Sequence, residues 1–512
     1  MSSQPVPSEF AHLVDLASDL TGTFVLWATD DYFAPKENLL KPAAPEWREG
    51  EYTDRGKWMD GWESQRRREP GHDSCIIRLG TPGRIHGLLV DTTWFRGNAP
   101  QEIGLDGIVA PDTATPADLV DHPGWQTLVA RTPVQPHHPN LVQLAAPSER
   151  VTHVRLHQFP DGGVSRLRVY GEVAPEPRTF WQPAAIDLCA IENGGTVAAV
   201  SDQFFGPPSN LLLPGRGVNM GDGWETKRRR TPGSDWCVLK LARRGVVQRL
   251  ELDTHFFKGN APQATVVEYL DAESEPSEAT LRGAAGWRPL VEKTPLVQHR
   301  RHIIEPSRPL AVTHLRVHIF PHGGVNRLRV YGHALDTPTE AMALAALNAL
   351  PADVAAEVLL SFNGAPGFAD RVLAARPLAS VRALFQAAED AWWASDDTDK
   401  LAAFAAHPRI GQSKAAPSQT QQSATWSAGE QAGVQGAAQT VSERLAKLNE
   451  VYFGKFGFIF ICFATGRTAS QMLELLEQRL ENDRATEIEN AAREQARITR
   501  LRIGKWLLAQ GA

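Results

Sequence analysis

Three blocks of this sequence occur twice, in the same order, and the first 335 residues have to fold in a way that uses both copies. Asp60-Gly61-Trp62-Glu63 leads into Arg66-Arg67-Arg68 and Pro70-Gly71; Asp222-Gly223-Trp224-Glu225 leads into Arg228-Arg229-Arg230 and Pro232-Gly233. DTTWFRGNAPQ at residues 91–101 returns as DTHFFKGNAPQ at residues 253–263. VTHVRLHQFPDGGVSRLRVYG at residues 151–171 returns at residues 312–332 with 16 of 21 positions identical. This is a tandem duplication of a unit of roughly 150 residues, an ordinary domain size. A fainter match aligns Asp30 to Leu40 with Asp202 to Leu212, after which the first copy carries a polar insertion around residues 42–54, expected as a surface loop.

The repeats read as β structure. Cys75 to Leu79, Leu88 to Val90 and Val151 to Phe159 are short and rich in β-branched residues, with Gly, Pro and Asp between them. In the last of these His153, Arg155 and His157 share one face and Val154 and Leu156 the other. Pro160-Asp161-Gly162-Gly163 is turn chemistry. Many short strands with regular turns predict a β-sandwich or jelly roll for each copy. After Asp336-Thr337-Pro338-Thr339 the pattern turns helical. Val441, Leu445, Leu448 and Val451 fall at helical spacing, and Thr468 to Gln471 reads as a capping box. Residues 477–507 read as one amphipathic terminal helix. The expected organisation is an N-terminal segment (1–21), two sandwiches (22–173 and 185–334) with a linker at 174–184, a second linker at 335–345, and an all-α domain at 346–512.

Composition excludes some classes of function. A net charge of −6 and short arginine runs with acidic neighbours give no nucleic-acid footprint. The longest apolar run, residues 456–464, is far short of the roughly 20 residues needed to cross a bilayer. Four scattered cysteines with no CxxC, and no secretory pattern at the N-terminus, favour a reducing, cytoplasmic setting. His153 and His157 could ligate a metal, but Arg155 between them repels a cation and no carboxylate neighbours them in sequence. No metal and no cofactor are expected.

Repeated Arg, His, Asp and Asn positions on a sandwich suit a small polar acid, through arginine forks among other contacts, without separating a hydrolase from a ligand-binding module. The set DGWE…RRR…PG, DTxxF[RK]GNAP and HxRxHxFPxGGVxRLRVYG resembles the allantoicase family over about residues 22–334, in both copies. The resemblance implies two jelly-roll repeats and hydrolysis of allantoate to ureidoglycolate and urea. That chemistry asks for an arginine on the carboxylate, an acid for the departing nitrogen and a base for water. The candidates are Asp60, Glu63, Arg66, Asn98, His157 and Arg168, with second-copy counterparts Asp222, Glu225, Arg228, Asn260, His318 and Arg329. The alternative is a non-catalytic ligand-binding jelly roll serving the helical domain.

In the helical third, His407 precedes Pro408, which ends the helix before it. Ser427-Ala428-Gly429-Glu430-Gln431 reads as a helix start, Phe456 to Cys462 as core, and Arg500 and Arg502 as solvated. Taken singly these are ordinary features. In order, LAARP, HPRIG, SxxEQ, KFGFxFIxC and a late Arg resemble the cofactor-free decarboxylase of 2-oxo-4-hydroxy-4-carboxy-5-ureidoimidazoline (OHCU), over about residues 347–507. The departure at Arg409-Ile410, where many members have Asp-Leu, leaves His407 and Pro408 in place. The resemblance implies His407 as proton donor and Glu430 as the group orienting it or the substrate. It also implies Ser427 and Gln431 on the ureido and ring atoms, the backbone of Ile459, Phe460, Ile461, Cys462 and Phe463 around the pocket, and Arg502 on the carboxylate. Both resemblances point to small-molecule substrates of urate breakdown, and a homo-oligomer is expected.

Overall fold

The computed structural model describes residues 6–408, 420–430 and 439–510. It forms two compact units, one from the chain up to Thr179 plus Ala185–Leu335, the other from Phe180–Ala184 plus the chain from Asp336 onward.

The first unit holds the two repeats, and each is an antiparallel sandwich of eight strands with the same strand order. In the first copy the order is Val14–Asp15, Arg166–Val173, Asp73–Asp91, Arg150–Phe159, Glu102–Ile108, Gln126–Pro133. Phe24–Ala28 and Pro139–Gln143 also pair with Asp73–Asp91, so this 19-residue strand serves four neighbours. In the second copy Asp235–Asp253 plays that part. The register slips between Val151 and His153 and between Tyr170 and Gly171, and such irregularities let a long strand bend between layers. The paired sheet starts before residue 22: Val14 and Asp15 pair with Gly171 and Tyr170. The alternation read from the sequence fills the core, with Val154, Leu156, Leu167 and Val169 fully buried.

The three duplicated blocks meet at one end of each sandwich. Trp62–Glu63 pairs with Gly163–Val164, and Trp224–Glu225 with Gly324–Val325. The Gly163 N–H donates to the Asn98 carbonyl at 2.8 Å. The double glycine is required by this approach. A Cβ on Gly163 would lie 2.0 Å from the Phe95 ring, and one on Gly162 2.7 Å from the Asn98 carbonyl. Phe95 is completely buried and has no room to retreat. Gly163→Ala is therefore expected to destabilise the β unit by about 3 kcal/mol, at the upper end for overpacking. A midpoint shift of under 0.5 kcal/mol in denaturant titration would show that the ring can move.

The second unit is helical. Thr337 and Glu340 form a capping box at the start of Pro338–Ala349, with Pro338 in the first turn. Helices Ala352–Asn363, Pro366–Ala374, Val381–Trp393, Asp397–Ala405, Gln421–Glu430 and Gln439–Phe456 follow. The capping box at Thr468 and Gln471 opens the helix Ala469–Arg479 as expected, and the terminal helix is Arg484–Ala509, starting later than residue 477. Asp483 sets that start by accepting the Thr486 N–H and capping the helix. Phe362, Phe404, Trp392 and Tyr452 centre the core. Trp181, in the stretch expected as a plain linker, is part of that core. It stacks on Phe385 and donates from Nε1 to Glu340 at 2.7 Å.

Candidate active sites

The block carrying Glu63 and the block carrying Asn98 touch directly. Asn98 Nδ2 donates to Glu63 Oε1 at 2.7 Å, and Asn260 to Glu225 at 2.5 Å in the second copy. Burial pushes the Glu63 carboxyl above the ordinary carboxylate range, against the opposing effect of Asn98. In the first copy the pair borders a cleft of about 340 Å³ lined also by Trp47, Lys57, Trp94 and Arg96. Trp94 sits at φ 75° and its counterpart Phe256 at 69°, uncommon values for bulky residues. Each is held by its own N–H, which donates to His137 Nδ1 at 2.8 Å and His299 Nδ1 at 2.9 Å respectively. Strain of this kind gathers at ligand sites.

The other β candidates lie elsewhere. Asp60 is buried on Arg166 at 2.6 Å and accepts the Glu46 N–H at 2.9 Å. Burial works to raise its pKa, but Arg166, that N–H and Lys41 outweigh it and hold the carboxylate low. Asp222 pairs with Arg327 at 3.6 Å. Arg168 and Arg329 hold backbone carbonyls, of Lys41 and of Leu213 and Gly215. Arg66 and Arg228 are exposed, and Arg66 is not among the residues lining the cleft.

His157 and His318 lie on a sheet face with acids the sequence reading passed over. His157 Nε2 is 2.9 Å from Asp106, which also pairs with Arg155, and its Nδ1 is 2.9 Å from His72. His318 Nε2 is 2.8 Å from Glu268 and its Nδ1 3.1 Å from Ser234. His153 is fully buried against Thr152, and burial followed by the Arg78 charge lowers its pKa to about 4.

In the helical unit His407 follows the helix Asp397–Ala405, as Pro408 requires. Arg502, 1% exposed, donates to Ser423 Oγ and Ser427 Oγ, both at 2.9 Å. Burial and then the Arg502 charge lower the His407 pKa to about 3, so the imidazole is neutral. Gln495 is its other polar neighbour. His407 Nε2 and Gln495 Oε1 are buried atoms with no well-formed hydrogen bond among the described residues. Gln495, Thr499 and Arg502 stand at i, i+4 and i+7 on the last helix, the one sequence signal that could have revealed Gln495.

Ser427 lies in the last turns of Gln421–Glu430 rather than capping a helix start, and its hydroxyl accepts from Arg502. Glu430 ends that helix; Gln431 and residues 409–411 of HPRIG lie outside the described residues. The segment from Ile459 to Phe463 is irregular and largely buried, and part of its backbone is already engaged. Arg479 donates to the Ile461 carbonyl and Glu494 accepts the Phe463 N–H, both at 2.6 Å.

A carboxyl kept protonatable in a sandwich cleft and an uncharged imidazole beside a buried guanidinium are two separate pieces of acid–base machinery. Each unit thus places a group able to take part in proton transfer in a polar cluster of its own. The family model described as "Allantoicase repeat" matches residues 14–174 and 186–335, and that described as "OHCU decarboxylase" matches residues 348–504. The chain belongs to the allantoicase family and carries an OHCU decarboxylase domain behind its two repeats. It is 41% identical over 329 residues to the allantoicase of Dictyostelium discoideum, covering 63% of this chain and 88% of that one. It is 43% identical over 332 residues to the probable allantoicase of Photobacterium profundum, covering 63% and 97%. The crystal structure of allantoicase from Saccharomyces cerevisiae superposes with a TM-score of 0.54 at 34% identity, covering 63% of this chain and 93% of that one.

Proposed function

We propose that this chain carries out two steps of urate breakdown. The β unit hydrolyses allantoate to ureidoglycolate and urea, and the helical unit decarboxylates OHCU to (S)-allantoin. One observation carries the reading: in each unit, motif residues far apart in sequence close into one polar cluster. Glu63 meets Asn98, and Arg502 meets Ser427 while its charge acts on His407.

In the decarboxylation, loss of CO₂ leaves charge that the substrate ring delocalises, so the protein has to hold the substrate and deliver a proton to one face. Arg502, fixed by Ser423 and Ser427, pairs with the substrate carboxylate. That carboxylate offsets the guanidinium and lifts His407 back toward protonation. His407, set by Pro408, is then able to take up a proton and pass it to carbon. Gln495 takes the hydrogen-bonding role on the ureido or ring atoms together with Gln431, and Glu430 orients His407 or the substrate. The apolar side chains of Ile459, Phe460, Ile461, Cys462 and Phe463 exclude water.

Both reactions use small molecules, with no nucleic acid, in a homo-oligomer in the cytoplasm. Four buried free thiols support that compartment. No helix among the described residues is long and apolar enough to cross a membrane.

The test uses the whole chain. It is expected to release urea from allantoate, and to convert freshly generated OHCU to optically active allantoin faster than the spontaneous reaction. Absence of urea release overturns the β assignment; racemic product at the spontaneous rate overturns the helical one.

A further inference from the structure

We infer that allantoate is bound and hydrolysed in the first repeat alone, with Arg96 and Lys57 holding its carboxylate and Glu63 moving the proton. This deepens the proposed function of the β unit and rests on it.

The two copies share the acid–amide pair and the strained aromatic residue, and differ in what stands opposite. The stretch between Leu40 and Asp60 is ten residues longer than that between Leu212 and Asp222. It supplies Trp47 and a small hairpin, Tyr52–Thr53 with Gly56–Lys57. Asp60 pins this stretch through the Glu46 N–H and Lys41, and Trp94 Nε1 donates to the Pro45 carbonyl at 3.0 Å. Trp47 is thereby set 5.4 Å from Trp94, ring centre to ring centre, with Lys57 Nζ 4.1 Å above it. These residues wall a cleft whose size suits a small ureide.

In the second copy the short stretch closes on itself. Asp222 accepts the Val218 N–H at 2.7 Å, and Gly217 lies so close to Asn326 that a Cβ there would meet Oδ1 at 1.7 Å. Among the described residues the ring contacts of Phe256 are His255 and His299, with no counterpart of Trp47. Phe204, Phe205 and Val218 stand 70%, 63% and 72% exposed.

The chemistry matches the walled copy. Allantoate has one carboxylate and two planar ureido groups on one carbon. Arg96 is exposed and makes no ion pair among the described residues, so its fork is available to a carboxylate. Lys57 adds a second positive charge, and the indoles of Trp47 and Trp94 offer flat faces to the ureido groups. Glu63, whose burial favours the protonated form, gives its proton to a ureido nitrogen. The C–N bond breaks with its electron pair going to that nitrogen, the lone pair of the remaining ureido nitrogen supports the central carbon, and urea departs. The Glu63 carboxylate then takes a proton from water as the water oxygen bonds to that carbon. This restores the acid and leaves ureidoglycolate.

The test compares full-length variants on allantoate, with folding checked by circular dichroism. Glu63→Gln is expected to lower kcat about a hundredfold to ten-thousandfold. Arg96→Met is expected to raise KM about tenfold to a hundredfold, with Arg96→Lys recovering part of the loss. Lys258→Met, the matching change in the second copy, is expected to leave both constants unchanged. If Lys258→Met raises KM while Arg96→Met is silent, the working cleft is in the second repeat and the inference falls, although the β unit still hydrolyses allantoate. If Glu63→Gln and Arg96→Met both match the wild type, the site lies outside this cleft and the inference again falls. Absence of urea release by the wild type removes instead the underlying reading.

Discussion

Replacing His407 with asparagine is expected to abolish enzymatic decarboxylation, lowering the rate about a hundredfold to ten-thousandfold toward the spontaneous reaction. The allantoin then formed is expected to be racemic, because in the proposed mechanism His407 is the group that delivers the proton to a single face. Urea release from allantoate should be unaffected, since His407 belongs to the other unit. Optically active allantoin at the wild-type rate would remove His407 from the mechanism. The same variant carries a pH signature. In the folded chain His407 stays uncharged down to a pH of about 3, whereas the unfolded chain protonates it at 6.5. Between these values the unfolded state binds more protons, so stability falls as pH drops through that window and the full contribution is present above 6.5. The Asn variant should lose less stability across the window than the wild type. Equal acid sensitivity would mean that the imidazole is not held neutral in the fold.

The second large effect is structural. Glu487 is completely buried and receives hydrogen bonds from Tyr452 Oη, Arg479 and Asn482. Arg479, 5% exposed, holds the Ile461 carbonyl and lies over the Phe460 ring. Glu487→Ala leaves this guanidinium buried without its counter-charge, which costs about 3–5 kcal/mol. The helical transition should shift by that amount in denaturant while the β transition stays in place. Glu487→Gln, which keeps the size and part of the bonding, should cost less. A shift below 1 kcal/mol for the alanine variant would show that water or another acid reaches Arg479.

The sandwich fold was legible because the alternation in residues 151–159 and the duplication of whole blocks are properties of the chain alone. Glu63 and Asn98 were legible as candidates for the same reason. Their contact was not, because it depends on Gly162 and Gly163 letting one loop lie against another. The cleft walls are not legible in sequence: Trp47 belongs to the insertion and Lys57 stands just after it, a stretch that reads as a polar loop although Asp60 pins it. Asp60, Arg168 and their counterparts carry the same polar signature as a site residue, and only burial and partners reveal them as anchors. In the helical unit the motif order pointed to His407 and Arg502. Gln495 lay hidden in a stretch whose charged neighbours suggest an exposed helix, and the start of the last helix falls at its Asp483 cap rather than at residue 477.

Trp181 gives the chain an order of assembly. The helical core takes one of its buried aromatic residues from a five-residue segment, and the whole second sandwich intervenes before the rest of that core. In topological terms the second sandwich is an insertion in the helical unit. As the polypeptide emerges from the ribosome, both sandwiches can close while Trp181 still has no helices to join. A nascent chain therefore displays an unburied indole until its partners Glu340 and Phe385 are made and their helices pack. A chain cut after Leu335 would leave Trp181 without its helical partners, so separating the two activities by truncation leaves an apolar remnant that point substitution avoids.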